Sequence, residues 1–515
     1  MIRQSLRLRD PRHIAPGIAA FSAALAVALF GLHARADAPA GEAVPPSGVV
    51  KLRLLGVNDF HGHLEPPEPG VGGAAWLAGH LDDASIPGRT IRVHAGDMVG
   101  ASPLVSSWFH DEPAIEAANL MGFDVGTVGN HEFDEGGDEL LRLIRGGGRA
   151  GPAALKPDST GKLVNTSSPE FRGAAFPYIA ANTTDSGSGR LVLPPYRVVR
   201  RAGVRVGFIG VTTPSTPNWV LPRFADRFRF LDISDSVNRW VPELRRRGVE
   251  TIVVLAHSGA PSQEGNGARA TGEVVEESRQ MSDAVDVVIA GHSHSRLNLR
   301  VPNPSGRGHK LVVEAASYGT AFDQVDLSVD RRTGDVVRKS AAIPATPHSG
   351  TRADPESAAL VARYVSRIAP VAGRIVGRTA RALSGGAGLG ELAAEAQRRL
   401  ADSDLAFVNQ GSFRAGIGAG PISYSDLFAA QAYDHAVLKL TLSGEDVLAL
   451  ARRGAVYSAG LRGRAVDPAG RYTVAVNELF ATRSGLPSIE SAASAGRPVG
   501  TEVEALTRYV ERGAG

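Results

Sequence analysis

The chain has 515 residues, of which 43% are hydrophobic and 21% charged, and its formal net charge is +3. This length exceeds what a single hydrophobic core usually serves, so at least two domains are expected. The sequence has no cysteine, which excludes a disulfide framework, thiolate metal ligands and a cysteine nucleophile.

The first 36 residues have the pattern of a secretory signal peptide. Arginines precede an apolar run from Gly17 to Leu32, and Ala34-Arg35-Ala36 has the small-x-small pattern that signal peptidase needs. A retained membrane anchor is the alternative, but a span of the bilayer takes about 20 apolar residues. We therefore predict a signal peptide over residues 1–36. The protein would then be exported, periplasmic or extracellular, with no stable membrane span after cleavage.

Cleavage of this segment would change the charge balance. Residues 1–36 hold five arginines and one aspartate, a net of +4, so the remaining chain carries about −1. Nothing in that balance indicates binding to a nucleic acid polymer or an anionic membrane. Residues 37–48 are rich in Ala, Pro and Gly and are predicted to form a flexible spacer.

Strand and helix patterns alternate from residue 49 to residue 344. This alternation predicts a layered α/β domain with a parallel or mixed sheet. Residues 146–173 interrupt it with Gly, Pro, Ser and Thr and are predicted to be a surface insertion.

A second unit follows a linker. Residues 345–370 are loop-like at first and then helical in their periodicity, which predicts a linker with a connector helix. Residues 371–515 are predicted to form a smaller α/β domain, with a helix near Leu389–Leu400 and a buried strand near Leu405–Val408.

Five short apolar runs of the first domain each end on Asp, Asn or His. Such runs are typical of strands buried on both faces, and open α/β sheets bind ligands at the carboxyl ends of their strands. The seven side chains delivered there are Asp59, His61, Asp97, Asn130, His257, His292 and His294. Together they supply enough donors for two divalent metal ions, provided that one carboxylate, predicted to be Asp97, bridges them.

Two metal ions indicate hydrolysis. An ion pair about 3.5–4 Å apart generates a nucleophile from water and neutralises charge on a phosphate group. Zinc, manganese, cobalt or a similar ion suits the predicted ligands equally well. The residues alone leave open which of His292 and His294 serves which ion.

Three segments carry a family resemblance: Asn58–Pro66, Gly96–Pro103 and Gly129–Asp134. Followed by His257 and Gly291-His292-Ser293-His294, they resemble the calcineurin-like metallophosphoesterases. More narrowly, they resemble the exported family of 5'-nucleotidases, UDP-sugar hydrolases and 2',3'-cyclic-nucleotide phosphodiesterases. The resemblance implies an α/β-β/α sandwich followed by a 5'-nucleotidase-type substrate-binding domain.

The resemblance also implies roles for individual residues. It assigns Asp97 to both ions; the first is completed by Asp59, His61 and His294, and the second by Asn130, His257 and His292. Family members often have Gln where this chain has His294. His131 and Asp134 match the catalytic dyad, in which the aspartate orients the imidazole and the imidazole assists the leaving oxygen.

The second domain resembles the family in part. Asn409-Gln410-Gly411-Ser412-Phe413-Arg414 is similar to an Asn-x-Gly-x-x-Arg loop, which implies that Asn409, Gly411 and Arg414 contact substrate. Tyr433 falls where the first of two base-stacking rings is expected. In the second motif Leu479 occupies the ring position, and Phe480 can replace it only if the turn shifts by one residue.

These features predict an exported, dimetal-dependent phosphoric ester hydrolase. It would release phosphate from nucleoside 5'-monophosphates or related nucleotides, with metal-bound hydroxide attacking phosphorus and the His131–Asp134 dyad assisting. UDP-sugar hydrolysis, 2',3'-cyclic phosphodiester cleavage or another ester on the same core are the enzymatic alternatives. The non-enzymatic alternative is an exported binding or adhesion protein on a degenerate hydrolase fold.

Overall fold

The computed structural model describes residues 48–262, 270–384, 387–453, 456–460 and 465–513. The predicted signal peptide and all but the last residue of the predicted spacer lie outside this part of the chain. Among the described residues, no helix is both long and apolar enough to cross a bilayer.

A six-stranded mixed sheet carries the first three polar segments. Its strands, in spatial order, are Val336–Ala342, Asp323–Asp330, Val49–Val57, Thr90–His94, Val125–Thr127 and Tyr178–Ile179. The last four are parallel to one another, whereas the first two are added by antiparallel pairing. The carboxyl ends of the parallel strands therefore meet at one end of the sheet.

A second six-stranded sheet carries the late histidines. Its strands, in spatial order, are Arg296–Pro302, His309–Ala315, Val285–Ala290, Thr251–His257, Val204–Thr212 and Tyr196–Arg201. The four central strands are parallel, and both edge strands are antiparallel. Thr251–His257 is buried at every position, which explains its unbroken apolar sequence.

The two sheets pack face to face through apolar side chains. Leu54 and Val93 of the first sheet share one buried cluster with Val253 and Ile289 of the second. The contact is close at Gly56, where a Cβ atom would lie 2.9 Å from the Ile289 side chain. A larger residue at that position would push the sheets apart.

Helices cover the outer face of each sheet. On the first sheet, Leu55 and Val57 belong to a buried cluster with helices Ala74–Ala84, Leu104–Ser107, Glu112–Leu120, Gly137–Arg145 and Pro355–Ala372. Helices Ile233–Arg246 and Glu273–Gln280 pack on the second. The predicted α/β-β/α layering and the α/β fold class are confirmed.

The C-terminal part is a smaller α/β unit around a mixed five-stranded sheet. The strands of this sheet are Val456–Ala459, Leu405–Asn409, Arg471–Asn477, Ala436–Ser443 and Pro498–Thr501, and Ile375–Thr379 pairs separately with Gly420–Ser423. Its helices are Ala387–Leu400, Tyr424–Ala430, Gly444–Ala451, Glu478–Thr482, Pro487–Ala495 and Glu502–Glu511. Capping boxes begin three of these helices, so local sequence sets their start points.

The predicted connector helix is present as Pro355–Ala372 and is packed along its length. Leu360, Tyr364 and Ile368, four residues apart, are buried in the cluster that also contains the helices of the first domain. The ring of Tyr364 lies 4.9 Å from that of Phe109. The same cluster also contains Leu427 and Phe428 of the C-terminal unit, so the helix packs against both domains, which its periodicity did not reveal.

The remaining elements are short. The predicted insertion at residues 146–173 forms a hairpin of Leu155–Pro157 with Leu163–Asn165 after a 3-10 turn, Pro152–Ala154. Elsewhere Thr183–Asp185 pairs with Phe228–Phe230, and the helix Pro222–Ala225 follows the 3-10 turn Thr216–Asn218.

Candidate active site

The predicted ligand side chains meet where the strand ends of the two sheets face each other. Five of them are at most 1% exposed, and the other two, His292 and His294, are partly exposed. The five are Asp59, His61, Asp97, Asn130 and His257. Buried Asp and His residues in such a group need strong partners, because burial of a charge without compensation is costly.

Asp59, His61 and His294 form the first cluster, in which one ligand atom from each lies within 4.8 Å of the others. His61 Nδ1 lies 2.8 Å from the Gly100 carbonyl oxygen. Burial outweighs the charge of Asp97 and holds the pKa of His61 well below its usual range, so the ring is neutral. Nδ1 therefore carries the proton, and the Nε2 lone pair faces His294 Nε2 at 3.2 Å.

Asp97, His257 and His292 form the second cluster, with the same separation limit of 4.8 Å. His257 Nδ1 donates to the Ala95 carbonyl oxygen at 2.8 Å. Its Nε2 lies 3.0 Å from both Asp97 Oδ2 and Asn130 Oδ1. The structure thus places Asn130 beside this cluster.

The donor set at His257 fits a metal ion. Two oxygen acceptors, Asp97 Oδ2 and Asn130 Oδ1, lie close to His257 Nε2. Electron-rich atoms this close together need a positive charge between them. A proton can supply that charge: burial lowers the pKa of His257, but Asp97 more than compensates and raises the pKa to about 10. A divalent cation would displace the proton, because metal ligands bind in their deprotonated form.

Asp97 belongs to the second cluster and also lies next to the first. Its Oδ2 lies 3.0 Å from His257 Nε2 and 3.7 Å from His61 Nε2. Burial raises the pKa of this carboxyl, but His257 and the other imidazoles outweigh burial and hold the pKa well below its usual range. An ionised carboxylate between two clusters is what a bridging ligand requires.

The backbone of the site is strained. Five of the seven candidate ligands have a positive φ, between 47° and 75°: Asp59, His61, Asp97, His292 and His294. Each such residue costs about 1–3 kcal/mol and persists only where the surroundings enforce it. The concentration of strain at these five positions points to a functional constraint on the loops.

Glu132 holds two of these loops together. Its carboxylate accepts the backbone N–H groups of Asp97 and Met98, each at 2.9 Å, and also that of Gly129. It therefore links the loop that carries Asp97 to the loop that carries Asn130. The prediction from sequence did not assign this residue a role, although it follows His131 in the Gly-Asn-His-Glu segment.

Glu132→Gln is expected to weaken metal binding by about 10- to 100-fold, the range for residues that orient ligands. The amide retains one oxygen acceptor and turns an N–H₂ group towards backbone donors. Metal affinity is measured by titration against a competing chelator. Glu112→Gln is the control, because Glu112 is a 1%-exposed glutamate that binds Arg142 and Ser167 instead. Equal affinities in the two variants would contradict this role.

The predicted dyad is formed. His131 Nδ1 lies 2.7 Å from Asp134 Oδ2, within one turn that begins with the 3-10 helix His131–Phe133. The His131 backbone N–H donates to Asp97 Oδ1 at 2.9 Å, which fixes the dyad beside the second cluster. Burial lowers the pKa of His131, but Asp134 and Asp97 outweigh burial and raise it to about 8.

Four of the five predicted substrate contacts line one cavity of about 220 Å³ together with His131. They are Asn409, Gly411, Tyr433 and Phe480. Leu479 and Phe480 both line this cavity, so the altered motif still brings an aromatic ring to it. Asn409 also has a local role, because its Oδ1 accepts from Ser412 Oγ at 2.7 Å.

The fifth predicted contact, Arg414, lies next to Tyr433. Its guanidinium carbon is 4.7 Å from the centre of the Tyr433 ring, and its Nη2 donates to the Tyr433 hydroxyl oxygen. The Tyr433 ring is in turn 5.9 Å from that of His131. Arg414 therefore lies near the dyad through Tyr433, although it is not among the residues that line the smaller cavity.

A second cavity, of about 360 Å³, adjoins the first. It shares His131, Trp219, Tyr433 and His435 with the smaller one. Arg149 and Lys156 of the insertion also line it, as do Arg223 and Glu478, which form an ion pair. None of these basic residues was predicted, because single charges in loops give no sequence signal.

Two family models match the chain. Residues 52–296 match the model described as calcineurin-like phosphoesterase, and residues 369–460 match the model described as 5'-nucleotidase, C-terminal domain. A solved structure described as a 5'-nucleotidase precursor from Thermus thermophilus has a TM-score of 0.71 and 23% sequence identity. The match covers 90% of this chain and 96% of that one, so the fold extends over both domains.

Two relatives are more similar in sequence. The chain is 34% identical over 482 residues to "Endonuclease YhcR" of Bacillus subtilis (strain 168), which covers 85% of this chain and 38% of the relative. It is 31% identical over 449 residues to "Cell wall protein Lmo0130" of Listeria monocytogenes serovar 1/2a, which covers 78% of this chain and 55% of the relative. The chain therefore spans between about two fifths and just over half of these relatives.

Proposed function

The chain belongs to the family of calcineurin-like phosphoesterases that carry a 5'-nucleotidase C-terminal domain, and on this basis we propose that it is a metal-dependent phosphohydrolase acting on nucleotides. Its substrates would be nucleoside 5'-monophosphates or related nucleotides. One observation carries the proposal. The two Asp/His clusters, the His131–Asp134 dyad and the smaller cavity, which residues of both domains line, all lie next to one another around His131.

The seven candidate ligands would hold two divalent ions, as Asp97 adjoins both clusters. When bound, such ions activate water and neutralise charge on a phosphoryl group. Asp134 holds the proton of His131 at Nδ1, which leaves Nε2 to donate to the oxygen that leaves with the nucleoside. The same contact contributes to the raised pKa of His131, about 8, which favours a role as proton donor.

The C-terminal domain would orient the substrate. Asn409 and Gly411 line the cavity that reaches His131, and they belong to the loop that ends in Arg414. The guanidinium of Arg414 can pair with phosphate or carboxylate groups. Binding of the nucleoside across this cavity would place its phosphate at the clusters and exclude water from them.

Phosphodiester cleavage is the second candidate. The relative that is named an endonuclease supports it, and so does the larger cavity, which is also lined by His131 and offers room for a further ester group. 2',3'-Cyclic nucleotides are smaller phosphodiesters, whereas UDP-sugars contain a phosphoanhydride between two esterified phosphates. A role as a binding protein on a degenerate hydrolase fold has less support, because every candidate ligand and both dyad residues are present.

Export is also a proposal. One relative is named a cell wall protein, which supports a location outside the cytoplasm. The predicted signal peptide lies outside the described residues. Fractionation of cells that express the full chain would test it: removal of residues 1–36 should retain the protein in the cytoplasm.

The proposed activity is tested with the chain beginning at Asp37, by assay of inorganic phosphate and by chromatography of the products, because cleavage of a diester releases no inorganic phosphate. The panel contains nucleoside monophosphates, cyclic nucleotides, UDP-sugars, an aryl phosphate and single-stranded DNA and RNA, with Mn²⁺ or Zn²⁺ and with chelator. Chelator-sensitive release from the monophosphates supports the proposal. Cleavage of diesters or nucleic acid alone would favour the second candidate, and no turnover with any metal would favour a binding protein.

A further inference from the structure

Trp219 is an unexplained aromatic residue at the cleft. Its side chain is 50% exposed, and among the described residues it is the only aromatic one in the set of exposed large apolar side chains. A solvent-exposed indole gives up the favourable burial that tryptophan usually obtains. No sequence motif drew attention to it.

Its position connects the cleft to the candidate metal ligands. Trp219 lines both cavities, together with His131 and Tyr433. Its ring lies 5.7 Å from that of His292, at an angle of 79°. The exposed indole of Trp219 therefore lies directly beside the candidate metal ligand His292.

The backbone that carries Trp219 is fixed. Thr213 N–H donates to the His257 carbonyl oxygen at 2.8 Å, and Thr216 Oγ1 donates to the Thr213 carbonyl oxygen at 2.7 Å. The Trp219 N–H donates to the Thr216 carbonyl oxygen at 3.0 Å. The turn is thus attached to the strand that presents His257, so no ordering of the backbone is needed when a ligand binds.

The two aromatic residues predicted from sequence are less available. The Tyr433 ring stacks on His435 at 5.3 Å with an angle of 10°, and Arg414 lies over it as well. Phe480 is partly buried against the core of the C-terminal domain. Both residues are partly buried, whereas Trp219 is exposed.

We propose that Trp219 is a specificity residue that stacks on the planar base of the substrate in the smaller cavity. Base recognition is then shared between the two domains, with Trp219 from the phosphoesterase domain and Asn409, Gly411 and Phe480 from the C-terminal domain. This inference rests on the proposed action on nucleotides. Stacking on an aromatic side chain tolerates different bases, since every base has a π-face.

Kinetics separate base stacking from a general defect. Trp219→Ala should raise KM for adenosine monophosphate by about tenfold or more, the size of one lost stacking contact. Its KM for glycerol phosphate, which has no base, should stay within about twofold of the wild type. Trp219→Phe should restore most of the affinity. Val337→Ala, which truncates a 58%-exposed side chain that lines neither cavity, is the control.

Binding provides a readout without turnover. Adenosine is titrated into chelator-treated protein while tryptophan fluorescence is followed; the sequence has four tryptophans. Adenosine should quench the wild type and Trp240→Phe, because Trp240 packs on Tyr196 outside both cavities. The quench should be lost in Trp219→Phe.

The outcomes distinguish the two proposals. If the wild type hydrolyses nucleoside monophosphates but Trp219→Ala has an unchanged KM for them, the role of Trp219 is wrong and the proposed function stands. The same holds if Trp219→Phe is quenched as strongly as the wild type. If the wild type turns over glycerol phosphate and no nucleotide, both proposals are overturned.

Discussion

Asp97→Ala is expected to abolish phosphate release, with a loss of more than about 10³-fold. Removal of a single charge-stabilising donor typically costs about 10²- to 10³-fold, and Asp97 is the residue proposed to serve both ions. The variant also removes the acceptor for the His131 N–H. Phosphate release and bound metal, measured after dialysis against excess Mn²⁺ or Zn²⁺, should fall together.

A stability measurement checks that the fold survives. Metal added to the wild type should raise the melting temperature, because a ligand of the native state stabilises it by mass action. That increase should be lost in Asp97→Ala. Asp323→Asn is the control: Asp323 is a fully buried carboxyl in the same domain, and burial raises its pKa well above the usual range, so the amide resembles its neutral form. Full metal content in Asp97→Ala would refute the bridging role.

His131→Asn is expected to lower kcat for nucleoside monophosphates by about 10²- to 10⁴-fold, the usual contribution of a positioned general acid. Bound metal should be unchanged, because none of the seven candidate ligands is removed. The loss should be much smaller with p-nitrophenyl phosphate, whose leaving oxygen needs no proton. Comparison of the two substrates therefore isolates proton donation from charge stabilisation.

Two further variants serve as comparisons for His131→Asn. Asp134→Asn should reduce kcat less than His131→Asn, because it removes only the group that orients the imidazole. His80→Asn should leave kcat unchanged, because His80 lines neither cavity. It lies on the helix Ala74–Ala84, where its Nε2 is 2.8 Å from the Pro347 carbonyl oxygen. An equal loss of kcat for both substrates in His131→Asn would show that His131 stabilises charge and does not donate a proton.

The site combines several features that oppose stability. Five ligand positions have left-handed backbone, and the carboxylates of Asp59 and Asp97 are fully or almost fully buried. Glu132 offsets part of the cost, because it satisfies three backbone donors at once. Bound metal would offset more, so the protein should be markedly more stable with metal than with chelator.

The local sequence was sufficient to predict most elements and to name candidate ligands. Buried parallel strands read as unbroken apolar runs, and the residue that follows each run lies at the strand's carboxyl end. Asp59, Asp97, Asn130 and His257 are therefore recognisable as candidates from the sequence alone. The strand Leu405–Asn409 and the helix Ala387–Leu400 likewise match their predicted positions.

The pairing of ligands depended on tertiary structure. The residues alone did not show whether His292 or His294 joins Asp59, since both follow the same strand two residues apart. The fold places His294 Nε2 3.3 Å from Asp59 Oδ1 and groups His292 with Asp97 and His257. The turn that connects the two histidines decides this, through contacts distant in sequence, such as Ser293 Oγ to Glu314.

The two cavities could not be predicted from the sequence. Apolar periodicity and strand-end chemistry are local signals, so they were sufficient to predict the fold class and to name the seven candidate ligands. The position of Trp219, the packing of the helix Pro355–Ala372 and the ring contact of His131 with Tyr433 join residues far apart in the chain. Only tertiary packing decides such contacts, because no short stretch of sequence contains both partners.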